Sequence, residues 1–348
     1  MKSKIKIGVI GVGHLGKHHV NHFTKIEDAK LIGVYDINSK TAKKISKRYN
    51  ITPFKSLSEL IEQVDAVSVV TPTREHVSTA EECLKSRKHV FIEKPITETV
   101  EEADMLINLA KENNAIVQVG HIERLNPALM PLADYDLNPK FVEVQRLAPY
   151  MIRGSDVPVV LDLMIHDIDL VLSLIPSSIK HIESTGVSIM TNSVDIANAR
   201  ISFENGAIAN LTSSRVAKDR VRKLKIFQQD LYITVDFLIG LTEIYKAMDA
   251  NQKDPDAIMT APLELNGENR QIFYEKPTIP KIDALKMELE NFIKSIKGEE
   301  APIVDGTAGR NALSIAIEIQ NKILQFHFER ICFWYNRFLI KYLSVFSV

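Results

Sequence analysis

The sequence predicts an α/β protein: an N-terminal Rossmann-type parallel sheet followed by a C-terminal α+β domain with a mostly antiparallel open sheet. Three observations carry this. Over the first 120 residues, short apolar runs alternate with amphipathic helical patterns. The segment Gly11-Val12-Gly13-His14-Leu15-Gly16 follows the first run and opens the first helix. After Gly120 the rhythm changes to strand-like runs separated by turn signals. Continuously apolar strands between helices imply a parallel sheet covered on both faces.

Taken in order, strands are expected at Ile5–Ile10, Ala29–Tyr35, Thr52–Phe54, Ala66–Val70, His89–Ile92 and Ala115–Val119. Helices are expected at His14–Ile26, Ser39–Tyr49, Leu57–Gln63, Glu75–Lys85 and Val100–Asn113. In the second part, Phe141–Leu147 reads as a strand and Pro158–Leu174 as a long helix ended by Pro176. Several strands follow between Ile179 and Lys246, with turns at Thr185-Gly186 and Glu204-Asn205-Gly206; the Asn-Gly pair is a strong hairpin signal. Met248–Pro280 reads as a polar loop excursion, and Ile282–Ile296 and Thr307–Leu324 as closing helices. The expected division is 1–121, 122–325 and an aromatic tail, 326–348.

Composition narrows the class. The 348 residues carry 43 Lys and Arg against 44 Asp and Glu, with 45% hydrophobic and 25% charged residues. This is an ordinary globular balance and excludes disorder, collagen and coiled coil. A net charge of −1 gives no whole-molecule field for nucleic acid, so no nucleic-acid partner is expected. The two cysteines, Cys83 and Cys332, form no metal-type or redox pair, which favours a reducing, cytoplasmic setting. No metal site is expected. The N-terminus does not read as a signal peptide, and no apolar run is long enough to span a bilayer.

Gly11 to Gly16 fits G-x-G-x-x-G in its strand–turn–helix setting. Gly11 permits the turn, Gly13 lets backbone approach a pyrophosphate, and Gly16 lets helix and strand pack closely. The helix N-terminus then meets the phosphates. Asp36 ends the second strand, 20 residues after Gly16, where a carboxylate accepts from a ribose diol and repels a 2′-phosphate. NAD is therefore expected rather than NADP. The bland alternative is a packing turn with Asp36 as a helix cap. Thr71-Pro72-Thr73 ends the fourth strand, at the edge where open α/β sheets bind ligands, or is a plain turn.

Glu93-Lys94-Pro95 follows the fifth strand at the same edge. Lys94 could hydrogen-bond a substrate hydroxyl, or simply be solvated. In the apolar run 158–174, Asp162, His166 and Asp169 are spaced i, i+4, i+7 and share one face. Buried charge without a partner is costly, so the stripe should face a cleft or a polar partner. His166 can take a proton near neutral pH, with Asp162 fixing its orientation. A structural Asp–His pair is the competing account.

These residues resemble the glucose–fructose oxidoreductase/inositol dehydrogenase/MocA family. The resemblance rests on Gly11–Gly16, Thr71-Pro72 with His76, His89-Val90 leading to Glu93-Lys94-Pro95, Asp162 with His166, and Pro302-Ile303-Val304-Asp305-Gly306 before a helix. It covers roughly residues 4 to 325. It implies an NAD(P)-dependent oxidoreductase acting on a CH–OH group, commonly a homodimer or homotetramer built on the open sheet. Lys94 would polarise the hydroxyl and His166 would be the general base. Asp162 would hold the substrate or the imidazole, and His76 and Glu93 would border the cofactor. Family members differ on whether the lysine or the histidine takes the proton. Three departures stand out: Met164 and Arg87 where glycine is usual, and Thr73 where asparagine is usual.

Gly120-His121-Ile122-Glu123-Arg124-Leu125-Asn126-Pro127 and the segment 164–169 resemble the branch that oxidises UDP-N-acetylglucosamine at its 3-OH. That product would feed a 2,3-diamino sugar into lipid A. A nucleotide diphosphate needs cations, and Arg124, Arg146 and Arg153 are candidates; surface or interdomain salt bridges explain them equally well. Asn126 could orient a sugar hydroxyl or cap a turn. The alternatives are a dehydrogenase of a free sugar or inositol, and a non-catalytic NAD-binding regulator. The tail holds eight of the chain's 24 aromatics. On a helix, Phe328, Cys332, Tyr335, Leu339, Tyr342 and Phe346 form one stripe, read as packing against protein, as a membrane-surface helix, or as a read-through tail.

Overall fold

The computed structural model describes residues 3–150, 157–265 and 267–345; for residue 265 and for 326–345 it describes the backbone alone. The first sheet is built from β1 (Ile5–Ile10), β2 (Ala29–Tyr35), β3 (Thr52–Pro53), β4 (Ala66–Val69), β5 (His89–Glu93) and β6 (Val117–Gly120). Between the strands run α1 (Gly16–Phe23), α2 (Ser39–Tyr49), α3 (Leu57–Ile61), α4 (His76–Lys85) and α5 (Val100–Glu112). The strands are parallel in the order β3-β2-β1-β4-β5-β6, the doubly wound pattern. Helix starts follow from local chemistry. Asn38 caps α2, Ser56 caps α3, and Thr99 with Glu102 forms a capping box on α5. Pro53 is tolerated because β3 is an edge strand. The strand order reverses between β1 and β4, so the loops after those strands border the ligand crevice expected of such sheets.

The second sheet has nine strands: β7 (Phe141–Leu147), β8 (Ile179–Val187), β9 (Ile196–Phe203), β10 (Ile208–Ser214), β11 (Val221–Gln228), β12 (Leu231–Asp236), β13 (Leu241–Asp249), β14 (Met259–Leu265) and β15 (Glu268–Glu275). Their order is β14-β15-β13-β12-β11-β7-β10-β9-β8, and only the β7–β10 pairing is parallel. β4 is buried at every residue, whereas β7 alternates buried and half-buried positions, as a sheet covered on one face should. Helix α6 (Ile165–Leu174) lies against β7 and β10. The Asn205-Gly206 turn forms as expected: Gly206 has φ +83°, and its N–H bonds Phe203 O at 3.0 Å.

Helices α7 (Ala284–Ile296) and α8 (Gly306–Val345) close the chain. The chain forms two compact units, Met1–Tyr135 with Thr278–Ser314 and Asp136–Pro277 with Ile315–Val348. This differs from the expected division at 121/122. The physical reason is packing: Leu289, Phe292 and Ile293 of α7 join the core of Ile7, Val9, Phe23 and Phe91. Val119 N–H also bonds Val304 O at 2.9 Å, and Arg310 clamps Asp104.

Three further expectations change. Met248–Pro280 is not an open excursion but contains the β14–β15 hairpin; Pro262 is accommodated because β14 is the sheet edge, and Gly267 has φ +82° at the turn. Thr185-Gly186 is not a turn but part of β8, where a Cβ on Gly186 would come within 2.7 Å of Val194 Cγ1. The run expected as a regular helix from Pro158 begins with a π turn over Val160–Met164 before α6. The aromatic stripe of the tail concerns side chains outside the described residues, while the backbone there continues α8.

Candidate functional site

The glycine turn separates two kinds of demand. Gly11 has φ +81°, and a Cβ there would meet Val70 O at 2.7 Å; a Cβ on Gly16 would meet Gly11 O at 1.9 Å. Both glycines are therefore required by the chain itself. A Cβ on Gly13 would meet nothing within 4 Å, and Gly13 is exposed. Next to it, Val12 is buried and His14 and Leu15 are exposed, and α1 begins without a side-chain cap. Asp36 accepts the Val12 N–H at 2.8 Å through Oδ2 and the Asn38 N–H at 2.8 Å through Oδ1. Each carboxylate oxygen retains a further lone pair for a ribose hydroxyl. Thr71 Oγ1 is buried without a hydrogen-bond partner in the chain. An open glycine, an uncapped helix start and an orphaned hydroxyl on neighbouring loops fit a bound dinucleotide.

Lys94 is half-buried just past β5 and is joined to Pro95 by a cis peptide bond. Glu93 beside it receives His19 Nε2 at 3.0 Å, and His19 Nδ1 pairs with Ser68 Oγ at 2.9 Å. Burial pushes the Glu93 carboxyl up, but the His19 hydrogen bond and charge, with Lys94, bring it below its ordinary value. His76 at the start of α4 ties two loops together, with Nε2 on Thr71 O at 3.0 Å and Nδ1 on Pro95 O at 3.0 Å. Burial lowers its pKa against the pull of those carbonyls. The structure thus brings Gly11–Gly16, Asp36, Thr71, Pro72, His76, Glu93 and Lys94 to one carboxyl edge of the first sheet.

In the second unit, Asp162 lies in the π turn and His166 in the first turn of α6, both half-buried. Asp169, expected on the same face, is fully buried. Asp167 is buried too, and takes Arg146 Nε at 3.0 Å and Nη2 at 2.7 Å. Arg146 is 3% exposed, so its guanidinium serves an internal ion pair between β7 and α6 rather than presenting itself to a diphosphate. Met164, which replaces the usual glycine, is wholly buried at the end of the π turn. In the first unit, Arg124 donates to Ile303 O at 3.1 Å, and the Asn126 side chain accepts Ala128 N–H at 3.1 Å. Arg153 lies outside the described residues.

Sequence reasoning missed three groups. His19 with Ser68 had no motif of its own, although a histidine in an apolar helix face must find partners. Asp167 was readable as a charge in an apolar run that demands a cation. Arg215, 5% exposed, holds Asp195 at 3.0 Å, Val157 O at 2.6 Å and Val194 O at 2.9 Å, pinning the approach to the π turn. Burial pushes the Asp195 carboxyl up, yet the N–H groups of Met190, Thr191 and Ile189 with the Thr191 hydroxyl hold it far below its ordinary value.

Comparison with known proteins adds the family. Residues 5–121 match the model of the oxidoreductase family with an NAD-binding Rossmann fold, and residues 150–233 match the GFO/IDH/MocA C-terminal domain. The chain is 36% identical to UDP-N-acetylglucosamine 3-dehydrogenase of Acidithiobacillus ferrooxidans, over 91% of this chain and 96% of that one. A solved structure of that enzyme superposes with a TM-score of 0.83 at 35% identity, covering 93% of this chain and 99% of that one. Myo-inositol 2-dehydrogenase of Thermotoga maritima is 26% identical over 89% of this chain and 93% of that one. The chain is an oxidoreductase with an NAD-binding Rossmann fold, and it belongs to the GFO/IDH/MocA family.

Proposed function

We propose that the chain oxidises the 3-OH of UDP-N-acetylglucosamine, or of a closely related nucleotide sugar, to a ketone with NAD as the acceptor. The observation that carries this is the 36% identity to a UDP-N-acetylglucosamine 3-dehydrogenase along nearly the whole of both chains. The preference for NAD over NADP rests on Asp36, a carboxylate that repels a 2′-phosphate.

Gly13 and the start of α1 would hold the pyrophosphate, Asp36 the ribose diol, and Thr71 the loop beside them. Held there, NAD would supply the hydride acceptor for the carbon that carries the hydroxyl. The Lys94 ammonium donates a hydrogen bond to the hydroxyl oxygen and stabilises the charge that develops on it. The His166 imidazole takes the hydroxyl proton, and Asp162 orients the imidazole or the sugar. The net change is an alcohol and NAD going to a ketone, NADH and a proton.

A second reading, a free sugar or inositol, is favoured by one observation: Arg124 and Arg146 both bond to groups within the chain. The decisive assay mixes the protein with NAD or NADP and with UDP-N-acetylglucosamine, glucose or myo-inositol, and follows reduced cofactor by absorbance. Reduction with NAD and the UDP-sugar is expected; reduction with inositol alone would establish the second reading. Lys94→Ala and His166→Ala should each lower kcat by about 10²–10⁴-fold, while NAD affinity measured by calorimetry stays unchanged. Full turnover in either variant would remove that residue from the chemistry. The same reading includes a homo-oligomer assembled on the sheet face where Phe227, Tyr232 and Tyr245 stack. Sedimentation showing a monomer would overturn that part.

A further inference from the structure

Behind Lys94 lies a polar chain that hydride transfer does not use. It spans three elements of the first unit: Ser68 on β4, His19 on α1 and Glu93 at the end of β5. Ser68 is 0% and His19 1% exposed, so neither is a surface residue. Their surroundings are apolar; the Phe91 ring meets the imidazole edge to face at 5.6 Å. A buried polar chain in such a place is costly unless fully satisfied, and this one is.

The geometry fixes its direction. His19 Nε2 faces an acceptor-only carboxylate at 3.0 Å, so Nε2 carries a hydrogen and donates it. Nδ1 faces the Ser68 hydroxyl at 2.9 Å, which can donate to a neutral imidazole or accept from a charged one. Both bonds therefore survive in either protonation state. The far side of the carboxylate is closed as well. Glu93 accepts the backbone N–H of Lys94, and Gly120 leaves room for it, since a Cβ there would lie 3.0 Å from Glu93 Oε2.

We propose that His19 is a positioning residue for Lys94: by donating to Glu93 it fixes that carboxylate against the Lys94 backbone and so holds the ammonium in place beside the reacting hydroxyl. The proposal rests on the role of Lys94 given above. The charged and titratable groups facing this chain are Lys94 on its own loop, His76 from α4, and His18 and His22 along α1.

The test uses the full chain with NAD and UDP-N-acetylglucosamine. His19→Ala should lower kcat by about 10–100-fold with the NAD Kd within about twofold, because a misplaced ammonium impairs the transition state and not cofactor binding. His19→Gln keeps a donor for Glu93 and an acceptor for Ser68, and should restore kcat to within about threefold. An alanine variant with wild-type kcat, or a glutamine variant no better than alanine, would overturn the proposal. If the alanine variant does not fold, Ser68→Ala decides: it releases the imidazole, so kcat should fall at unchanged NAD affinity, and wild-type kcat overturns the idea. Lys94→Ala separates the two levels. Full turnover there defeats the role of Lys94, whereas an inert Lys94→Ala beside a fully active His19→Ala defeats only the role of His19.

Discussion

The carboxyl edge of the parallel sheet and the α6 region of the second sheet both bury a carboxylate beside a proposed reacting side chain, but they neutralise it differently. Next to His166, Asp167 is met by Arg146, a cation that cannot lose its proton, in a bidentate pair almost without solvent. Next to Lys94, Glu93 is met by His19, whose partner on the other side can donate or accept. One arrangement is a fixed strut between β7 and α6. The other is a hydrogen-bonded chain in which the Ser68 hydroxyl can donate or accept. Arg146 therefore belongs to the scaffold of the helix that carries His166, while His19 belongs to the proposed working edge.

The two arrangements should differ most in what their loss costs the fold. Arg146→Ala leaves Asp167 buried and unpaired and should cost about 3–5 kcal/mol, read as a lowered denaturation midpoint. Replacing both partners, Arg146→Met with Asp167→Leu, should recover most of that loss, since the desolvation of two charges disappears with them. His19→Ala removes two buried hydrogen bonds and should cost less, about 1–3 kcal/mol. Equal losses at Arg146 and His19 would abolish the distinction between strut and working edge.

The glycine turn offers the same contrast within six residues. Gly16→Ala forces a carbon into Gly11 O and should prevent correct folding of the turn. Gly13→Ala meets no atom of the chain, so the thermal midpoint should stay within about a degree while NAD affinity falls about tenfold, the cost of a methyl group against the pyrophosphate. A Gly13→Ala variant that binds NAD normally would show that the turn serves packing alone.

The legible parts of this fold are those where local pattern and global structure agree. The strands β1, β2 and β7 fall where their apolar runs place them, because pairing and burial act on the same residues. The G-x-G-x-x-G turn was legible because motif spacing encodes a strand–turn–helix geometry. The β14–β15 hairpin was not: Pro262 argues against a strand unless its edge position is known, and edges are a property of the whole sheet. The partners of the candidate arginines were hidden for a related reason. Sequence places Arg124 and Arg146 near the proposed catalytic segments but carries no sign that Ile303 O and Asp167 await them. His19, Ser68 and Glu93 come from positions 49 and 74 residues apart, so only the folded sheet unites them.

The smallest effect concerns a departure from the family pattern. Arg87 stands where glycine is usual, in the turn from α4 into the strand that delivers Glu93 and Lys94. Its φ is +58°, the left-handed region that costs a residue with a Cβ about 1–2 kcal/mol. Its N–H is fixed to Leu84 O at 2.8 Å, so the backbone has no easy escape from that conformation. Glycine relieves the steric cost but loses more entropy on folding, by about 0.5–1 kcal/mol. Arg87→Gly should therefore stabilise the protein by about 0.5–1 kcal/mol in chemical denaturation, with kcat and KM unchanged, because the strain sits at the amino end of β5 and the proposed chemistry at its carboxyl end. A net loss of stability would mean that the arginine side chain contributes more to the turn than its backbone strain takes away.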